Sequence, residues 1–181
     1  AKQVEAAGFH LDVGVLGAKA ILNALSENGE AETAYKLAAQ DTYPSWGCWI
    51  ANGATTLLEN WDLNATRDIS DNHMMISEIG GWFYKGLGGI FPDPENPGFK
   101  HILLRPNFPS GLNEFEARYQ SPYGEICSKW ERKKNRIFYH VTVPANSTAT
   151  FYAPDNVKGE RAVNLEAGEH ILELLLLRSS K

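Results

Sequence analysis

The sequence predicts an α+β chain built in two parts: helical hairpins first, then an antiparallel β-sandwich. Three observations carry this. Over residues 14–90 the apolar residues recur with a helical period. Beyond residue 100 they alternate with a period of two. Between the two regimes lies "FPDPENPGF", 91–99, with three prolines, a natural boundary. The expected domains are therefore 1–91 and 92–181, in keeping with a chain of 181 residues.

The helical part reads in order. "VLGAKAILNALSENG" places Ala18, Ile21, Leu22 and Leu25 on one face, and Gly29 suits a helix C-terminus. "EAETAYKLAAQ" follows at once with strong helix formers, so the short link predicts a helical hairpin. Pro44 and Gly47 in "DTYPSWG" interrupt the pattern. "CWIANGATTLLENW" then predicts a third helix and "DLNATRDISDN" a polar loop. "HMMISEIGGWFYKGLGGI" predicts a fourth helix, with Asp71 or Asn72 as its N-cap. Four such helices could form a small bundle or the last pieces of a larger helical toroid; periodicity does not choose between them.

The second part predicts strands at "HILLRP", "FEARYQS", "GEICSKWER", "RIFYHVTV", "TATFYAP" and "EHILELLLL". Turn signals separate them, among them Pro122-Tyr123-Gly124 and Lys133-Lys134-Asn135. Ile137, Tyr139, Val141 and Val143 share one face of their strand, and Ile126, Ser128 and Trp130 one face of theirs. Evenly spaced strands of this kind suit a sandwich.

Composition narrows the function. The net charge of -5 and the lack of a basic stripe argue against nucleic acid as a partner. No apolar run reaches membrane-spanning length, "ILELLLL" included. Cys48 and Cys127 lie far apart and predict two buried free thiols, not a disulfide or a metal site. His10, His101, His140 and His170 show no ligand spacing. No phosphate-binding loop or serine or cysteine nucleophile signature is present, so no cofactor or metal is expected. The compartment stays open, since residue 1 is alanine.

One carboxylate stands out. On a helix running through 48–61, Asn52, Thr55, Thr56 and Glu59 form one stripe, opposite Ile50, Ala54, Leu57, Leu58 and Trp61. A solvated face would carry several charges. This stripe has two hydroxyls, an amide and one acid, flanked by Trp46, Trp49, Trp61 and Asp62. That composition suits the wall of a polar cleft as well as it suits a surface. Near a helix C-terminus, Glu59 would be a stronger base than a free glutamate, as water activation requires. Indoles suit the apolar C–H faces of sugar rings. His73, at the start of the predicted fourth helix, would be neutral and able to donate or accept a hydrogen bond.

The segments "TYPSWGCWIANGATTLLENWD", "DNHMMISEIGGWFYKGLGGI", "PGFKHILLRP", "SPYGEICSKW" and "VTVPANSTATFYAP" together resemble the C-terminal part of bacterial α-L-rhamnosidases. The resemblance runs from about His10 to the end of the chain and keeps the order of its blocks. It implies the closing helical hairpins of an (α/α)6 six-hairpin barrel followed by a β-sandwich. It also implies an inverting glycoside hydrolase acting on a rhamnosylated carbohydrate. Residue by residue, it implies Glu59 as general base, His73 as a contact to the bound sugar, and Trp46 as a tryptophan near the pocket. There are departures: Val13 for a usual threonine, Leu58 for a tryptophan, and Cys48 and Met74 where aromatics are common.

The family's general acid lies in an acidic loop upstream of the base, and nothing before residue 10 supplies it. Inversion needs two carboxyls roughly 6.5–9.5 Å apart. The expectation is a C-terminal fragment, inactive alone, whose partner is the upstream part of the same enzyme. Two alternatives remain: a six-hairpin glycosidase of other sugar specificity, and a non-catalytic carbohydrate-binding or structural sandwich. Trp130, Tyr119, Tyr139 and Tyr152 would be the platform of the binding module.

Overall fold

The computed structural model describes residues 1–11 and 13–177. The chain divides into two compact units, Ala1–Trp82 and Phe83–Lys181. Among the described residues the first holds five helices: α1 Lys2–Ala6, α2 Val15–Glu27, α3 Ala31–Ala38, α4 Trp46–Ala51 and α5 Glu78–Trp82. α2 buries Ala18, Leu22 and Leu25, and α3 buries Thr33, Ala34 and Leu37, so the predicted hairpin forms with its apolar stripes inward. α5 packs on α2, where Trp82 Nε1 donates to Ser26 Oγ at 2.8 Å and Asn23 Nδ2 to Glu78 Oε1 at 2.9 Å.

α2 and α4 end in the same way. In each an Asn-Gly pair follows the last helical residue, and the glycine has positive φ, 81° at Gly29 and 88° at Gly53. The Gly29 N–H bonds to Ser26 O and the next N–H to Leu25 O; the Gly53 N–H bonds to Ile50 O and the next to Trp49 O. Both are the paired reverse turn that satisfies the last free carbonyls and stops a helix.

Two expected helices are therefore corrected. The third stops at Ala51, and residues 54–60 are not helical. The fourth is shorter than predicted: His73 precedes a run of turns, the α-helix is only Glu78–Trp82, and a π-helical turn, Phe83–Leu87, follows in the second unit. Neither Asp71 nor Asn72 caps a helix. Glycines at 80, 81, 86, 88 and 89 each weaken helix relative to alanine, which explains the short element.

The second unit is a sandwich. Its strands are β1 Ile90–Pro92, β2 His101–Leu104, β3 Glu114–Ser121, β4 Gly124–Lys133, β5 Arg136–Val143, β6 Thr148–Tyr152, β7 Val157–Lys158, β8 Ala162–Leu165 and β9 Gly168–Leu176. One sheet has the order β1-β2-β6-β8 and the other β3-β4-β5-β9-β7. All pairings are antiparallel except β2 with β6. The six predicted strands are present; β1, β7 and β8 are short and were not predicted.

The inward residues of β5, Ile137, Tyr139, Val141 and Val143, meet Ile102, Leu104, Ala149 and Phe151 from the other sheet in one core. Fully burying such a side chain contributes about 1.5–3 kcal/mol. Its polar groups are satisfied. Ser128 Oγ donates to Gly88 O at 2.6 Å and lies 3.0 Å from the Tyr139 hydroxyl, while Trp130 Nε1 donates to Leu87 O at 3.2 Å. Gly89 has φ 68°, and a Cβ there would lie 2.1 Å from Pro106 N, so the chain crossing requires glycine.

Candidate active site

Ser45 starts the local structure. Its Oγ accepts the Cys48 N–H at 3.0 Å and caps α4, which seats Trp46 and Trp49 in the interior of the first unit. Gly53 then reverses the chain, and the following segment runs beside residues 70–73. The Glu59 N–H bonds to Ser70 O at 2.9 Å and the His73 N–H to Leu57 O at 2.8 Å. Thr56 Oγ1 donates to Asp71 O. The loop between the two arms is folded by its own side chains: Asn60 Oδ1 accepts the Asp62 N–H, and Asp62 Oδ1 the Asn64 N–H.

This pairing, and not a helix face, brings Glu59 and His73 together. His73 Nε2 lies 3.5 Å from Glu59 Oε1, with the side chains 22% and 25% exposed. The other oxygen, Glu59 Oε2, accepts the Ser70 N–H at 3.3 Å. The predicted stripe of Asn52, Thr55, Thr56 and Glu59 does not exist, because these residues do not share a helix. Nor does a helix dipole act on Glu59 or His73. The carboxylate is set apart from a surface glutamate by partial burial, one imidazole and one backbone N–H.

Three indoles clamp the surrounding backbone. Trp46 Nε1 donates to Ile76 O, Trp49 Nε1 to Trp61 O and Trp61 Nε1 to Val13 O. Trp61 stacks on Trp49 at 4.5 Å and meets Trp46 edge-on at 5.5 Å. Trp46 is only 2% exposed, so it lies beneath the site, and Trp61 is the half-buried indole of the trio. Ser70 is a site residue that sequence reasoning did not single out, and Trp61, expected only as a flank of the stripe, is the half-buried indole of the site. The Asn52-Gly53 pair was the available signal, since a helix that stops there makes the next segment extended. Among the described residues no group of three or more His, Cys, Asp or Glu could hold a metal ion. Among the described residues no helix is long and apolar enough to cross a membrane.

A helical unit followed by a β-sandwich has the architecture of the C-terminal part of six-hairpin glycosidases, and the family models agree. Residues 1–87 match the family model described as the bacterial α-L-rhamnosidase 6 hairpin glycosidase domain. Residues 89–168 match the bacterial α-L-rhamnosidase C-terminal domain. The chain belongs to the bacterial α-L-rhamnosidase family. It is 34% identical to an α-L-rhamnosidase of Formosa agariphila over 99% of this chain and 20% of that one. Among solved structures it is similar to the α-L-rhamnosidase from Dictyoglumus thermophilum, with TM-score 0.85 and 28% identity over 95% of this chain and 22% of that one. It is also similar to the Streptomyces avermitilis α-L-rhamnosidase complexed with L-rhamnose, with TM-score 0.76 and 29% identity over 97% and 18% of the two chains. The chain thus spans about one fifth of the length of the relatives it matches.

Proposed function

We propose that this chain is the base-bearing, C-terminal part of a glycoside hydrolase that releases terminal α-L-rhamnose with inversion of configuration. The observation that carries the reading is the Glu59 carboxylate, three-quarters buried and held between His73 Nε2 and the Ser70 N–H. In that seat it accepts a proton from a water molecule as the water attacks the anomeric carbon. A carboxylic acid on the remaining part of the longer enzyme protonates the departing oxygen, at the separation inversion demands. His73, with 22% of its side chain exposed, is the residue that contacts the sugar. Trp46 acts indirectly, by supporting Trp61, whose partly exposed ring offers the apolar face a pyranose packs against. The relative solved with L-rhamnose bound supports the choice of sugar.

Large apolar side chains on the first unit support a longer enzyme. Met74 beside His73 is 82% exposed and Ile50 on α4 is 70% exposed. Further helical hairpins would cover such residues.

The alternative of a carbohydrate-binding sandwich keeps only half of its platform: Trp130 and Tyr139 are fully buried, while Tyr119 and Tyr152 are exposed. For the second unit we favour a structural role.

The test has two arms. The purified 181-residue chain is expected to show no turnover of an aryl α-L-rhamnoside. In the full-length enzyme, Glu59→Gln is expected to remove most of kcat and to change KM less, because the base acts in the transition state. Active-site-dependent turnover by the short chain, or a near-normal kcat in Glu59→Gln, contradicts the reading.

A further inference from the structure

The two nitrogens of His73 have opposite environments. Nδ1 is sealed from solvent and has no hydrogen-bond partner among the described residues. Nε2 faces Glu59 Oε1 at 3.5 Å. A hydrogen on Nδ1 would be a buried donor with nothing to receive it, and on an imidazolium it would also carry charge. A bare Nδ1 leaves only an unmet lone pair, the least costly of the three states.

The geometry points to His73 as a neutral Nε2–H tautomer that acts as a positioning residue for Glu59. The inference rests on the proposal that Glu59 is the general base, and adds how the base is held. His73 Nε2 faces Oε1 at 3.5 Å, the side from which a hydrogen on Nε2 would steady it, while the Ser70 N–H donates to Oε2 at 3.3 Å, so the two oxygens are approached from two directions. Neutrality matters to the chemistry. An imidazolium beside Glu59 would stabilise the carboxylate charge and weaken it as a base; a neutral donor orients it with far less loss of basicity. The pairing of 57–59 with 70–73 supplies the geometry from the backbone, since the His73 N–H is bound to Leu57 O and the Glu59 N–H to Ser70 O.

The first test is on the chain itself. Two-bond ¹H–¹⁵N correlation at neutral pH, with His73 assigned from its absence in His73→Gln, reads the tautomer directly. The expected pattern is a protonated Nε2 and an unprotonated Nδ1. Protonation of Nδ1, alone or together with Nε2, overturns the inference. The second test is on the full-length enzyme. Glutamine can place an amide N–H where Nε2 lies, whereas asparagine reaches only the Nδ1 position. His73→Gln is therefore expected to keep at least about tenfold more kcat than His73→Asn. Equal kcat in the two, with only KM differing, would leave His73 as a sugar contact and remove its positioning role. If Glu59 is not the base, Glu59→Gln retains kcat while the tautomer pattern is unchanged, so the two failures are distinguishable.

Discussion

Glu59 Oε1 and His73 Nε2 lie 3.5 Å apart, and neither residue belongs to a helix. Their meeting depends on two backbone arms and on the indoles behind them. Trp61 is the keystone, stacked on Trp49, edge-on to Trp46 and hydrogen-bonded to Val13 O. Trp61→Ala is expected to destabilise the first unit by about 2–4 kcal/mol, within the range for removing a large aromatic. Urea unfolding followed by tryptophan fluorescence measures it. A loss below about 0.5 kcal/mol would mean the stack does not hold the site.

Glycine substitutions separate backbone conformation from crowding. A Cβ at Gly29 or Gly53 meets nothing within 4 Å, so only the positive φ opposes alanine. Gly29→Ala and Gly53→Ala are each expected to cost about 1 kcal/mol. Gly89→Ala adds a collision with Pro106 N and Arg105 C and is expected to cost on the order of 3 kcal/mol or more. Chemical denaturation with separate probes for the two units ranks them. Equal losses at Gly53 and Gly89 would contradict the assignment.

The same glycines explain what the sequence made legible. Gly29 was read as a helix stop and is one. Gly53 follows the same Asn-Gly signal, yet a helical wheel through it placed Thr55, Thr56 and Glu59 on one stripe. Apolar residues at 54, 57, 58 and 61 keep helical spacing by coincidence, and the tight helix-ending turn overrides it. The strands were legible because alternation persists over long runs, as in β5, whose alternate residues are all buried. β7, with two residues, is too short to show a period. Glu59 and His73 were legible as candidates, but the backbone pairing that joins them was not, since contacts across a loop leave no local pattern.

Tyr139 links stability to alkaline pH. Burial pushes its hydroxyl well above the usual tyrosine value, with the Ser128 hydrogen bond opposing in part. The folded form therefore holds the proton more tightly than the unfolded chain. Its stabilising effect is fully present below about pH 10 and is lost as pH rises from there toward the folded value. Tyr139→Phe is expected to cost about 1 kcal/mol at neutral pH, through the lost Ser128 contact. It should also flatten the fall in stability above about pH 10. Stability measured against pH for both proteins checks this; parallel curves would contradict it.

The two thiols differ in burial, against the expectation that both would be buried. Both are free, but Cys48 is only half-buried while Cys127 is buried. Burial also pushes the Cys127 thiol up, which lowers its thiolate content. Iodoacetamide is expected to modify Cys48 well before Cys127, as peptide mass spectrometry reads. Equal rates would mean that the sandwich opens readily at β4.

The most direct measurement of the central claim is azide rescue of Glu59→Ala in the full-length enzyme. Azide attacks without losing a proton, so it bypasses a missing base but not a missing acid or a broken fold. The account predicts that Glu59→Ala loses most of its rate, that azide restores turnover, and that the product is a rhamnosyl azide of inverted configuration. No effect of azide on a folded Glu59→Ala enzyme, or a product of retained configuration, would contradict it.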